Sequence, residues 1–399
     1  MKRIFPNQAE AVANALYEIL EKQKRASRVL EQTVEAHPKW GARDRKLLYE
    51  AVYSILRWKR KFDAMAEMEE GEFHPWTWIK IWCTLNDYAI PDWKEMQCSP
   101  HATKEELMAF HTNEQDIMHA FPSWLYDLGI KELETAWESE MNALNNKAAV
   151  ALRVNRILIS PKKLAEKLLN QFQIETAQKP QSPDALYLPK GRKLNKNPWF
   201  RKGHFEIQDA NSQRIAPFCK VNAGMKVIDL CAGAGGKTLH LAALMRNRGM
   251  IRAFDVEVNK LSELNKRAKR AKVQCVETAR IDDVVLKESQ AWADVVLIDA
   301  PCSGLGTLKR NPEIKWQLNS DRLEELQATQ RQLLQQAVDL IQKEGKIVYA
   351  TCSILPSENQ KQTAWFLKQY PEFRLEVDHQ ILGQDSDFDG FYMARFSRK

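Results

Sequence analysis

From residue 205 onward the chain alternates short apolar runs with amphipathic segments, and this alternation limits its fold more than any other feature. The runs are KVIDL (226–230), MIRAF (250–254), DVVLID (294–299) and KIVYAT (346–351). Between them, 237–247, 258–271 and 322–343 carry apolar residues at helical period. Repetition of this kind calls for parallel strands with helices on both faces of the sheet. The expectation is an α/β domain with a doubly wound, mostly parallel sheet. Ligands of such sheets sit at the carboxyl ends of the strands, so the chemistry should lie where the runs stop.

Upstream the pattern differs. Residues 1–145 read as helical, with period near 3.6 over 8–34, 43–61 and 104–119. Seven of the 12 tryptophans precede residue 125, among them Trp76, Trp78 and Trp82. Their expected role is to fill a small helical core; a base-stacking platform is the alternative. AAVALRVN, from 148, reads as a strand, and SPKKLAEKLLNQF as a helix opened by Ser160 with Pro161 in its first turn. The stretch 176–204 reads as a loop or hairpin. Three domains are expected: helical 1–120, a small α+β subdomain 121–204 that holds RNA, and a catalytic domain 205–399.

With 44% hydrophobic and 28% charged residues, the composition is that of a globular chain rather than a disordered one. No run approaches the roughly 18 apolar residues of a membrane helix. The start, MKRIFPNQAEAVANALYEIL, carries Glu10 and Glu18 inside its apolar part and is no secretory signal. A cytoplasmic location without a membrane partner follows as the expectation. The net charge of +7 is unevenly placed. Residues 1–60 hold 13 basic and 7 acidic side chains, and 185–205 hold Lys190, Arg192, Lys193, Lys196, Arg201 and Lys202 with no acid. Clustered cations favour a polyanion, although a solvated surface would look the same. Seven cysteines without a CxxC pair argue against zinc ribbons and iron–sulfur sites. No metal is expected.

The first run leads into Cys231-Ala-Gly-Ala-Gly-Gly-Lys-Thr238. Its glycines allow a close backbone approach to a ligand. A Walker A loop would need glycine where Cys231 stands, and a dinucleotide fingerprint fails at Thr238. Asp255 ends the second run and can accept from both hydroxyls of an unphosphorylated ribose, or else cap the helix beginning near Val258. Asp282 and Asp283 end a third run, VQCVETARID, where one could meet an adenine amino group. Together these describe an adenosine site without a pyrophosphate grip, which S-adenosylmethionine (SAM) fits. The fourth and fifth strands end in Asp299-Ala-Pro-Cys302-Ser-Gly304 and Ala350-Thr-Cys352-Ser353. Two thiols beside a cofactor site, near Lys237, suggest nucleophilic catalysis. Carbon 5 of cytosine attacks SAM only after a thiolate has added at carbon 6, so cytosine is the natural substrate for such a pair.

QDANSQ (208–213), DLCAGAGGKT (229–238), DAPCSGLGTLKRNPEIKW (299–316), YATCSILPSEN (349–359) and DGFYMARF (389–396), with FPSWL (121–125) and ALRVN (151–155), resemble the ordered motif series of the RsmB/NSUN family of RNA cytosine-C5 methyltransferases. The resemblance covers roughly 120–399. It implies a Rossmann-like class I SAM-dependent methyltransferase domain preceded by a helical, loosely NusB-like domain, the likeness lying in RDRKLLYEAVYSILRWKR. It implies Cys352 as the nucleophile and Cys302 as the thiol that assists release. Asp299 would hydrogen-bond the base, with Lys237 supporting base or carboxylate. SAM would be held by Cys231, Ala232, Gly233, Ala234, Gly235, Gly236, Lys237, Asp255, Asp282 and Asp299. Lys315 and Trp316 would face RNA or order their loop. DNA enzymes use the Pro-Cys thiol instead, so the pair implies RNA and not DNA. Two departures stand out: Gly233 and Ala234 replace the usual Ala-Pro, and the helical region is short.

The reading is therefore a SAM-dependent cytosine-C5 methyltransferase of ribosomal RNA, of the small subunit, acting as a monomer. One antiparallel strand, GFYMARF, is expected near the C-terminus. The alternatives are the same chemistry on transfer RNA, a catalytically silent RNA-binding assembly factor, and a P-loop nucleotidase, against which Cys231 argues.

Overall fold

The computed structural model describes residues 2–179, 181–188, 194 and 196–399. Of the basic stretch, Lys190, Arg192 and Lys193 lie outside the described residues, while Lys196, Arg201 and Lys202 are exposed. The chain forms two compact units, one of residues up to Asn146 with Leu308–Asn319, the other of Lys147–Thr307 with Ser320–Lys399.

In the first unit the helices Pro6–Leu20, Ala26–Ala36, Ala42–Met65 and Pro75–Leu85 bury a shared apolar core, including Leu16, Ile19, Leu30, Val52, Ile55, Trp78 and Trp82. A short parallel pair, β1 (Lys2–Arg3) and β2 (Tyr88–Ala89), lies beside them. The periodic stretch 8–34 is two helices rather than one. Gln23 adopts a left-handed φ of 53° between them, and its side-chain amide donates to the Leu20 carbonyl at 2.7 Å. The stretch 104–119 likewise divides, into Lys104–Ala109 and Gln115–Met118. Trp78 serves the core, as expected of it. Its indole donates to Asp63 Oδ1 at 2.6 Å, and Lys59 pairs with Asp63 at 2.8 Å while lying over the Trp78 ring.

This unit extends past the expected break at 120. Helices Ser123–Leu133 and Trp137–Leu144 belong to it, with Phe121 edge-on to Trp137 at 5.2 Å. Arg57 donates to the carbonyls of Leu144 and Asn146, which ties the later helices to the long one. The segment Leu308–Asn319 also joins this unit. Lys315 is 1% exposed and its ammonium donates to Arg57 O, Ala120 O and Asn145 Oδ1, at 3.2, 2.9 and 2.7 Å. Three oxygens match the three donors of an ammonium. Trp316 donates to Leu56 O at 2.6 Å. Of the two roles expected of Lys315 and Trp316, an RNA-facing one is excluded for Lys315 by its enclosure, and both order the segment.

The second unit contains two sheets. β3 (Val150–Val154), β4 (Ala185–Leu188) and β5 (Phe205–Ile207) form an antiparallel sheet in the order β4-β3-β5. Helix Pro161–Phe172 packs on it through Leu164 and Leu168, and Ser160 caps its start by accepting from Lys163 N. The larger sheet contains β6 (Lys226–Asp229), β7 (Met250–Asp255), β8 (Val276–Arg280), β9 (Ala293–Asp299), β10 (Ile341–Thr351), β11 (Phe373–Ile381) and β12 (Phe391–Arg398). Their order is β11-β12-β10-β9-β6-β7-β8, and β12 alone runs antiparallel to its neighbours. All four apolar runs are central strands, and GFYMARF is the reversed one.

Alternate side chains along each strand serve opposite faces. Val227, Val295 and Leu297 meet Leu239 and Leu264 of helices Gly236–Leu244 and Val258–Arg270. Ile228, Val296 and Ile298 meet Leu334 and Phe366 of Ser320–Leu340 and Gln360–Gln369. Because both faces are covered there, the central strands β6, β9 and β10 are largely apolar runs, whereas the edge strands β8 and β11 carry charged residues.

Candidate active site

β6 ends at Asp229, and the chain then turns back into the helix at Gly236. Gly233 and Gly235 have φ of 54° and 83°, a region costly for residues with a Cβ. A Cβ on Gly235 would also stand 2.6 Å from Leu264 Cγ. Two arginines, the buried Arg153 and the partly exposed Arg267, brace the turn by its carbonyls. Arg267 donates to Ala234 O at 2.7 Å, and Arg153, from ALRVN, donates to Gly236 O and to Gln208 Oε1. Glu206 takes ion pairs from Arg267 and Arg270, which offsets the buried charge.

The three acidic strand ends differ in their engagement. Asp229 is fully enclosed; Oδ2 accepts from Thr238 Oγ1 at 2.7 Å and Oδ1 has no partner. Burial first, then the neighbouring Asp299 and Asp255 charges, push its carboxyl up to about 7, against the opposing pull of Thr238 and Lys237. Asp255 ends β7, where Oδ2 accepts from Gly233 N and Oδ1 from Glu257 N, both at 2.8 Å. It thus shapes the glycine loop, and Glu257 rather than Asp255 is the cap of helix Val258–Arg270. Asp282 follows β8; it is exposed and its Oδ1 caps the short helix Asp283–Lys287 by accepting from Val285 N. Val256, Val258 and Val284 are 68%, 55% and 63% exposed around these carboxylates. Sequence reading missed both Asp229 and this apolar rim. Asp229 could have been found as the acid that closes the first strand; the valines carried no signal of exposure.

The reactive side lies at β9 and β10, whose ends are paired at Asp299 and Ala350. Lys237 Nζ donates to Asp299 Oδ2 at 2.5 Å. Burial alone would lower the Lys237 ammonium, but Asp299, then Cys352 and Asp229, carry it above its ordinary value. It is a fixed cation. The Cys302 and Cys352 sulfurs stand 3.4 Å apart, both partly exposed. The hydrogen bond to Cys352, then burial and the Glu358 charge, push the Cys302 thiol well up. Lys237, Asp299, Cys302 and Cys352 are thus brought together, while Asp282 stands one strand beyond the loop and Asp255. Burial, then the Asp229 and Asp299 charges, hold Cys231 well above its ordinary value, so its thiol stays protonated in the wall of the loop.

The donor set fits SAM. An unpaired buried carboxylate oxygen matches an ammonium, the glycine turn leaves its backbone approachable, and acidic strand ends with exposed valines match a ribose and an adenine. Among the described residues no three His, Cys, Asp or Glu side chains form a metal cluster, and no helix is long and apolar enough to cross a membrane.

A seven-stranded sheet with one reversed strand, a glycine turn after its first central strand and acids at the next two define a class I, Rossmann-like methyltransferase. A family model described as 16S rRNA methyltransferase RsmB/F matches residues 218–397, and an RsmF/B-like ferredoxin-like domain matches 121–195. Proteins named ribosomal RNA small subunit methyltransferase B are 31% identical in Photorhabdus laumondii and 32% in Yersinia pseudotuberculosis. Those alignments cover 70% and 72% of this chain, and 67% and 68% of those proteins. The chain belongs to the RsmB/F family of SAM-dependent RNA cytosine-C5 methyltransferases. Among solved structures it shares its fold with PH0851, at TM-score 0.85 and 24% identity over 100% of both chains. NSun6 from Pyrococcus horikoshii matches at 0.65 and 20%, over 70% of this chain and 99% of that one.

Proposed function

We propose that the protein methylates carbon 5 of a cytosine in small-subunit ribosomal RNA, with Cys352 as the nucleophile at carbon 6. The observation that carries the reading is the thiol pair, 3.4 Å apart, beside the Lys237–Asp299 ion pair. The RNA assignment rests on the names of the relatives, 31–32% identical. We place the protein in the cytoplasm, where its seven free thiols persist.

SAM supplies an electrophilic methyl group when bound. Asp229 Oδ1 would take its ammonium, Asp255 its ribose and the exposed valines its adenine, with Asp282 at the adenine edge. The target base must leave its stack before the thiols can reach it. Asp299 would hold the base near N3, and Lys237 fixes Asp299. The thiolate adds at carbon 6; its electron pair becomes the sulfur–carbon bond, and the ring electrons shift toward carbon 5, which takes the methyl group. Once Cys352 is a thioether, the contact that keeps Cys302 protonated no longer opposes a thiolate there. Cys302 can then release its own proton to solvent and, as a thiolate, accept the carbon 5 proton. The carbon 5–hydrogen pair re-forms the ring double bond, and the pair of the breaking Cys352–carbon 6 bond returns to the Cys352 sulfur.

Covalent trapping tests this. With SAM and bacterial ribosomal RNA, Cys302→Ala should accumulate an RNA adduct that survives denaturing electrophoresis, and Cys352→Ala should give none. An adduct that persists without Cys352 reverses the thiol roles. Sequencing of the trapped RNA identifies the base.

A further inference from the structure

Below the two thiols lies a polar cluster that the proposed reaction does not use. Each cysteine is followed by a serine, and the two Cys-Ser dipeptides lie against each other: the sulfurs are 3.4 Å apart and the Ser303 and Ser353 hydroxyls 3.2 Å. Glu358, fully buried, closes the cluster from beneath. Its Oε1 accepts from Ser303 N at 2.8 Å and from Gln330 Nε2 at 3.0 Å, and its Oε2 from Ser303 Oγ at 2.5 Å. Gln330 also donates to Pro301 O at 3.0 Å, so one amide holds both the residue before Cys302 and the carboxylate below it. On the other loop, the Ser353 hydroxyl accepts from Leu355 N at 3.0 Å, and Asn359 donates to Ser353 O. Gly306 N donates to Cys352 O at 2.9 Å, a direct tie between the two loops.

A carboxylate without a cationic partner is costly to bury, and only a dense set of donors retains it. Its donors come from both loops and from the helix behind them: Ser303 of the Pro-Cys loop, Ser353 of the Thr-Cys loop and Gln330 of Ser320–Leu340. That placement fits control of where the Cys302 loop sits against Cys352, because the serine hydroxyls alone would leave the two loops joined by neutral, individually weak bonds.

We propose that Glu358 is a positioning residue: through Ser303 and Gln330 it sets the distance between the Cys302 and Cys352 thiols that methyl transfer requires. The role rests on the reaction proposed above, and the test separates the two.

Thiol geometry is read without RNA by phenylarsine oxide, whose trivalent arsenic bridges two adjacent thiols. The wild-type chain should bind one arsenical in a manner lost in Cys302→Ala and in Cys352→Ala. Glu358→Gln and Ser303→Ala should weaken that binding by roughly tenfold or more, because a thiol displaced by even an ångström no longer spans the arsenic. In methyl transfer to ribosomal RNA, the same variants should lose roughly tenfold or more in kcat, with the KM for SAM within about twofold of wild type. Both readings are normalised to the folded fraction from circular dichroism. If Glu358→Gln does not fold, Ser303→Ala decides by the same readings. Arsenical binding unchanged in the folded variants overturns the proposal, as does a loss of activity no larger than the loss of folded protein. If the wild type binds arsenical as expected yet methylates no ribosomal RNA, the reaction reading fails and the geometric role of Glu358 stands on the arsenical result.

Discussion

At the end of β6, Asp229 holds a carboxyl group with one oxygen bonded to Thr238 and the other unpaired, and burial raises it to about 7. The folded value lies above the ordinary 3.8, so ionisation costs the folded state. This group's contribution to stability therefore falls as pH rises from about 4 through about 7. A bound ammonium at Oδ1 would offset the loss. Without SAM, wild type should lose stability relative to Asp229→Asn between about pH 6 and pH 8.5, by on the order of 1 kcal/mol or more. Thermal melts of both proteins at the two pH values check this. The same substitution should weaken SAM binding by roughly tenfold or more, read by calorimetry, since a charge-assisted bond is lost. His240 is the opposite case: burial first, against its contact with Asp184, lowers it to about 4, so it stays neutral where the enzyme works.

The glycine turn between β6 and helix Gly236–Leu244 is the element to which we assign cofactor binding. Its sequence departs from the family at Gly233 and Ala234, and the structure supplies bracing from elsewhere: Arg267 on Ala234 O, Arg153 on Gly236 O and Asp255 on Gly233 N. Gly235→Ala should cost about 1–3 kcal/mol, through its positive φ and the approach to Leu264, and should impair SAM binding as well. Chemical denaturation and calorimetry measure the two effects. The turn and Asp255 were legible because they are contiguous with apolar runs. The arginine braces and the Glu358 cluster were not, since their members are separated in the chain: Arg153 and Gly236 by 83 residues, Ser303 and Glu358 by 55. No local pattern marks such pairs.

On the scale of the molecule, the segment Leu308–Asn319 is the feature that decides how the chain can be divided. It lies between the Cys302 loop and helix Ser320–Leu340 in sequence, yet it belongs to the helical unit. Deleting residues 1–146 would remove Arg57, Ala120 and Asn145, leaving the Lys315 ammonium without its three acceptors and Trp316 without Leu56 O. The fragment 147–399 should accordingly be cut rapidly within 308–319 by trypsin, at Lys309, Arg310 or Lys315, whereas the full chain resists there. Mass spectrometry of the digest checks it. In the full chain, Lys315→Met should destabilise the helical unit by about 1–3 kcal/mol, because three buried acceptors lose their donors.

The alternation of apolar runs determined the sheet, its parallel core and the rim where the glycine turn and the thiols lie, because periodicity and strand ends are local properties. It also placed Asp255 and Asp299 at strand ends, Cys302 and Cys352 just beyond them, and Lys237 at the start of the helix that follows the first run, so these residues could be singled out from order in the chain. The tertiary structure decided what order cannot express. It showed that Asp229 keeps an unpaired oxygen, that Asp255 also accepts from the amides of Gly233 and Glu257, that Lys315 is enclosed rather than facing RNA, and that the helical unit runs past residue 120 and takes in 308–319. Each of these depends on burial and on partners distant in the chain, and burial is a property of the folded surface rather than of any stretch of sequence.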